Sequence, residues 1–177
     1  MIFNKQKNLK KLITEMVNDI PKFSNPEELI RWMKTNIRYS NYTKLMSHDD
    51  VAIEKHGSCH DQVMFEIEEL HKMGEKPKSL FIMEYNKSGQ GGMTHSLVWV
   101  DNHNNEILWI ENAWSDMQGI HKFQSVKDLK NHITQLHKTG KFGNIKQFPS
   151  LEIVSLNVNE HKPGETLQEF VHKCISK

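Results

Sequence analysis

Cys59 follows Gly57-Ser58, and Val63, Ile67 and Leu70 recur after it at helical spacing, so the thiol falls at the first turn of an expected helix over 59–73 that stops at Gly74. An isolated cysteine is most often a small buried hydrophobe. At a helix start its chemistry changes. Free N–H groups and the positive end of the helix dipole stabilise a thiolate, the nucleophilic form. The same N–H groups can steady an oxyanion on an attacked carbonyl.

A thiolate nucleophile needs an imidazole, and the sequence offers 11 histidines. His60 and His56 are near Cys59 in the chain, but neighbours on a helix point about 100° apart and His56 lies in the approach loop. His95 is the better candidate. It begins a strand whose alternation places His95, Leu97 and Trp99 on one face, a polar residue at the end of an apolar row.

Asp101-Asn102-His103-Asn104-Asn105 reads as a hairpin turn between this strand and the next. A three-residue loop over Asn102 to Asn104 sets Trp99 opposite Ile107, Leu97 opposite Trp109 and His95 opposite Glu111. Opposed side chains have Cβ atoms about 5 Å apart, close enough for a carboxylate to receive the imidazole N–H. A loop one residue longer puts Asn112 opposite His95 instead, and either residue can orient an imidazole. A helix-start Cys, a strand-start His and a cross-strand acceptor are the parts of a nucleophile, base and orienter.

These segments resemble the transglutaminase-like superfamily of papain-like thiol enzymes. Gly57-Ser58-Cys59-His60-Asp61 is similar to its nucleophile motif of Gly, any residue, Cys, any residue, acid. Thr94 to Val100 resembles its histidine strand, and Ile110-Glu111-Asn112 sits where the family has its aspartate. Leu70 to Gly74, the strand at Ser79 to Tyr85 and Ile37-Arg38-Tyr39 extend the likeness over roughly Ile30 to Trp114. Three positions depart from the pattern: Glu111 replaces aspartate, no proline follows it, and Leu97 stands where an aromatic residue is common.

The resemblance implies Cys59 as nucleophile, His95 as general base and then acid, and Glu111 as the residue that orients the imidazole. It implies acyl transfer through a thioester on a peptide, protein or amide substrate, with hydrolysis favoured over crosslinking and no cofactor or metal. Tyr39 or Tyr42 is a candidate to complete an oxyanion hole. The competing interpretation is a transglutaminase-like binding or scaffold domain without turnover.

Helices must position these residues. Leu9, Leu12, Ile13, Met16, Val17 and Ile20 predict a helix over 5–19, and Leu29, Ile30, Met33 and Ile37 a second one capped by Ser24 or Asn25. Tyr39 to Gly57 reads as a polar connection with one helical turn near Asp49 to Glu54. Strands are expected over 79–85, 94–100, 106–111, 119–123 and 151–158, and helices over 125–138 and 165–175. Gln90-Gly91-Gly92 reads as a mobile loop bordering the cleft. The order predicts an α+β fold, with N-terminal helices and the Cys-bearing helix packed on an antiparallel sheet, as one domain over 1–177.

Composition narrows the classes further. With 23 Lys+Arg against 22 Asp+Glu, and only Arg31 and Arg38 as arginines, the chain lacks the basic excess of a nucleic-acid binder. At 177 residues it is expected to bury about 70% of its unfolded surface without disulfide or metal support. Cys59 and Cys174 form no CxxC pair, and no run approaches 18 apolar residues, so a soluble, cytoplasmic protein is expected. Cys174 reads as a structural thiol, and His121, His132 and His137 as solvent or helix-face residues. His132 and His137 beside acids are also a conceivable metal pair, and no HExxH motif supports a zinc hydrolase. Trp99, Trp109 and Trp114 are assigned to the core and cleft wall, and Lys127, Lys130 and Lys138 to a solvated face.

Overall fold

The computed structural model describes residues 20–41, 44–102, 104–156 and 161–175. The helix expected over 5–19 lies outside them, as does Tyr42.

Helix α1 (Pro26–Asn36) starts where the Asn25 side chain accepts the Glu28 N–H at 2.9 Å, with Pro26 in the first turn, and it buries Leu29, Ile30 and Met33. The polar connection contains more order than its composition suggests. Strand β1 (Arg38–Tyr39) pairs in parallel with β2 (His56–Gly57), and between them α2 (His48–Glu54) carries a Ser47–Asp50 capping box. Two-residue strands are too short to show alternation, which is why sequence reading passes over them. Helix α3 (Cys59–Lys72) follows directly.

The fold is α+β. Strands β3 (Lys78–Tyr85), β4 (Gly91–Asp101), β5 (Ile107–Glu111), β6 (Gly119–Phe123) and β7 (Ser150–Leu156) form an antiparallel sheet in the order β6-β5-β4-β3-β7. Helices α4 (Val126–Lys138) and α5 (Leu167–Ile175) complete it. Alternation along the central strands divides the core. Val98, Val100, Leu108 and Ile110 pack with α1, α2 and α3, while Leu97, Trp99, Ile107 and Trp109 pack with Leu129 and Ile133 of α4 and with Phe142. A third cluster seats Phe170 of α5 on Leu45, Phe81, Met83 and Leu156. No helix among the described residues is long and apolar enough to cross a membrane.

Two local expectations are corrected. The β4–β5 hairpin keeps three residues in its loop but shifts them one position: Asn102 N–H donates to the Glu106 carbonyl at 2.8 Å, and Asn105 takes the left-handed conformation at φ 58°. The register is therefore Trp99 opposite Trp109 and Asp101 opposite Ile107. Because the slip is two residues in total, it keeps every side chain on its expected face. Gly91 and Gly92 belong to β4 and are no mobile loop. The turn lies at Asn86–Gln90, and a Cβ on Gly92 would stand 2.6 Å from the Phe148 ring.

Candidate active site

The nucleophile end is built by hydrogen bonds around a helix start. Ser58 caps α3, its hydroxyl accepting the Asp61 N–H at 3.3 Å and donating to Asp61 Oδ2 at 2.7 Å, while its own N–H donates to Oδ2 at 2.9 Å. The other Asp61 oxygen accepts the Met46 N–H at 2.8 Å, so one buried carboxylate fixes both the start of α3 and the segment that leads into α2. Gly57 is required by this approach, since a Cβ there would lie 2.9 Å from Asp61 Cβ. The Gly-Ser-Cys-His-Asp run is thus a device for holding Cys59 at the helix's first position. Cys59 is 9% exposed.

Gln62, one turn on, ties the strand pair to the sheet. Its Nε2 donates to the Gly57 carbonyl at 3.0 Å, and its Oε1 accepts from Asn112 Nδ2 at 2.6 Å. Asn112 therefore turns toward α3 and does not orient His95.

His95 is 7% exposed, and its Nε2 meets Glu111 Oε2 at 2.8 Å. In the observed register Glu111 lies diagonally rather than directly across from His95, and the extra methylene of glutamate spans that diagonal. The second Glu111 oxygen accepts the Trp114 N–H at 2.8 Å, which fixes the carboxylate. Nδ1 is the nitrogen that Glu111 does not occupy, and Cys59 lies near enough to raise the imidazole's pKa. Burial alone would push the imidazole's pKa down. The Glu111 charge and the bonds to Cys59 and Glu111 outweigh it and raise it to about 10. Trp114 and Phe142 stand edge-on to the ring at 5.8 and 6.3 Å and keep water from its flank. The structure thus brings His95 and Glu111 into contact, with Cys59 near enough for its charge to act on the imidazole.

Glu66 also reaches this electrostatic neighbourhood, although nothing in its pattern singles it out beyond its place two turns after Cys59. It is fully buried with Oε1 unpartnered, and burial, then the Glu111 charge, raise its pKa well above the ordinary carboxyl value, with His95 opposing. Tyr39 lies beside Cys59 and Asp61; burial first, then their charges, raise its phenol pKa. Its hydroxyl donates to Asn41 Oδ1 at 2.6 Å, so it is already engaged.

Other histidines have structural partners. Ser96 Oγ lies 3.2 Å from His60 Nδ1, and His60 Nε2 lies 2.9 Å from His161 Nδ1. His161 Nε2 donates to the Met46 carbonyl at 3.0 Å. This chain, with the Phe170 ring 3.8 Å from that of His60, fastens the C-terminal segment to α3. His137, in the last turn of α4, faces the interior rather than solvent: its Nε2 is 3.0 Å from Glu84 Oε1 and 3.0 Å from the Phe148 carbonyl. His121 donates to the Met117 carbonyl at 2.7 Å, and His132 packs edge-on against Trp109. Among the described residues no group of three or more His, Cys, Asp or Glu is arranged to hold a metal ion. Cys174 falls within α5.

No family model and no curated protein matches the sequence. Among solved structures, the chain is similar to a Cytophaga hutchinsonii protein described as a "Putative Cysteine Protease", at 13% identity and a TM-score of 0.37. The match covers 89% of this chain and 54% of the other, so this chain spans about half the length of the structure it matches. Likeness of that degree carries no residue across, and the chemistry is argued from the geometry above.

Proposed function

We propose that the protein is a cysteine-dependent hydrolase of peptide or carboxamide bonds, working through a thioester on Cys59 with His95 and Glu111 as its partners. The observation that carries this is the buried imidazole held between a thiol at a helix start and a carboxylate 2.8 Å away. The reactive form is a thiolate beside an imidazolium whose charge Glu111 stabilises. The thiolate attacks the carbonyl carbon, and the Cys59 N–H at the head of α3 is placed to receive the oxyanion. His95 gives its proton to the leaving amine nitrogen as the C–N bond breaks. The neutral imidazole then takes a proton from water, hydroxide attacks the thioester, and the C–S bond breaks to release the acid. Glu111 stays ionised and stabilises the imidazolium throughout. An amine in place of water turns the same second half into acyl transfer.

The order of helix-start thiol, strand imidazole and strand-end carboxylate agrees with the transglutaminase-like resemblance of the motifs. The test is a stopped-flow reaction with p-nitrophenyl acetate. A burst of p-nitrophenolate stoichiometric with protein is expected, with a 42-Da adduct on Cys59 that Cys59→Ala abolishes and that decays by hydrolysis. No burst, or an adduct that never turns over, overturns the hydrolase in favour of a binding domain.

A further inference from the structure

The site's rim carries information about the substrate. Among the described residues, Tyr39 at 51% and Met93 at 45% are the large hydrophobics that stand exposed. They are far apart in sequence, yet each adjoins one half of the thiol–imidazole pair. Tyr39 pairs across β1–β2 with Gly57, two residues before the nucleophile, and feels the Cys59 charge. Met93 precedes His95 by two residues on β4.

The exposure of Met93 is built into the sheet. Between the pairs Met83–Thr94 and Tyr85–Gly91, Glu84 alone faces both Gly92 and Met93, a β-bulge that re-aims the bulged residues. The bulge is fastened from inside. Buried Glu84 accepts the Met93 N–H at 3.0 Å and the Asn144 N–H at 2.9 Å, and it pairs with His137 at 3.0 Å. Gly143 permits the approach, because any Cβ there would collide with the Glu84 carboxylate, and the Phe148 ring backs Gly92. His137, Glu84, Gly92 and Gly143, which the chemistry does not use, are thereby accounted for: they hold a methionine out beside the base. Trp114, half-buried, adds an apolar flank at His95.

We propose that Tyr39 and Met93 form an apolar rim that selects peptide or carboxamide substrates bearing an aliphatic or aromatic side chain next to the carbonyl attacked by Cys59. This rests on the hydrolase assignment above. Exposed apolar side chains beside a reactive pair mark a contact for an apolar ligand group, and methionine adapts to varied shapes.

The test compares N-acetyl chloromethyl ketones of Phe, Leu, Glu and Lys, each rate at Cys59 read by mass spectrometry and divided by the iodoacetamide rate of the same protein. The Phe and Leu probes are expected to label at least about tenfold faster than Glu and Lys, the effect of burying about half an apolar side chain. Met93→Ser and Tyr39→Ser should each shrink that ratio severalfold, with circular dichroism checking the fold. Equal normalised rates for all four probes overturn the rim while leaving the hydrolase intact. Sedimentation at several concentrations covers the other occupant: dimerisation lost in Met93→Ser, with no probe preference, assigns the patch to a second copy of the chain and overturns the proposal. Failure of the hydrolase itself shows separately, as iodoacetamide labelling of Cys59 no faster than that of an ordinary thiol.

Discussion

Glu111→Asp separates the diagonal reach of glutamate from its charge. Aspartate keeps the carboxylate but withdraws it by one methylene, about 1.3 Å, turning the 2.8 Å contact with His95 Nε2 into one of about 4 Å, beyond hydrogen-bond range. With an effective dielectric constant of about 20, the attraction between the charges drops from about 6 to about 4 kcal/mol. Loss of a charge-assisted hydrogen bond removes roughly another 1.5–3 kcal/mol. Together these amount to three or four powers of ten in the imidazolium equilibrium, so the His95 midpoint should fall from about 10 to about 6 or 7. The assay is ¹H–¹⁵N NMR of the imidazole nitrogens across pH 5–11, with His95→Gln identifying the resonance. The wild-type ring should remain doubly protonated through pH 9. An unchanged midpoint in Glu111→Asp would show that the carboxylate does not hold the imidazolium, and a wild-type midpoint near 6.5 would refute the electrostatic argument at its root.

Further consequences concern stability. Burial raises the Glu66 pKa in the folded state, so stability falls as pH rises above its unfolded value near 4.5; Glu66→Gln should raise the unfolding free energy from urea titration at pH 7 by roughly 1 kcal/mol and converge with wild type near pH 4. A less stable Glu66→Gln at pH 7 would mean that the carboxyl makes a contact the amide cannot. His60 and His161 have lowered pKa values, His60 through burial first, then the His161 and Lys173 charges, and His161 through burial first. The neutral forms hold above about pH 6.5, and stability should decline as pH drops from there, less steeply in His60→Gln; identical slopes by urea titration at pH 5–7.5 would count against it. Asp61→Ala removes both the capping box and the Met46 tether and should cost about 2–4 kcal/mol by thermal melts, whereas a loss below 1 kcal/mol would show that Ser58 caps α3 unaided.

The elements that carry the candidate site residues were largely legible because those residues sit at element boundaries with strong signals. Cys59 is fixed by the Gly57 turn and a helical stripe, and His95 by alternation. Period-2 parity kept Glu111 on the His95 face despite the one-position slip of the loop, a slip that Asn105's left-handed conformation decides and that asparagine-rich turns leave open. Asn112 stayed an alternative until its amide was seen bonded to Gln62. What sequence could not show depends on distant parts meeting. The β1–β2 pair joins residues 38–39 to 56–57 with two residues on each side, His60 meets His161 across 101 positions, and Glu84 reaches Asn144 across 60. Glu66 reads as an ordinary helical glutamate until the sheet covers it.

The most direct test of the central claim is the rate of iodoacetamide alkylation of Cys59 against pH, in wild type and His95→Ala, both with Cys174→Ser. An ordinary thiol is about 1% ionised at pH 6.5 and half ionised near 8.5, so its rate changes about fiftyfold between them. A thiolate–imidazolium pair predicts a wild-type rate that is nearly level over this range and a His95→Ala rate that falls steeply. Two parallel, steep profiles would contradict the pair and with it the proposed chemistry.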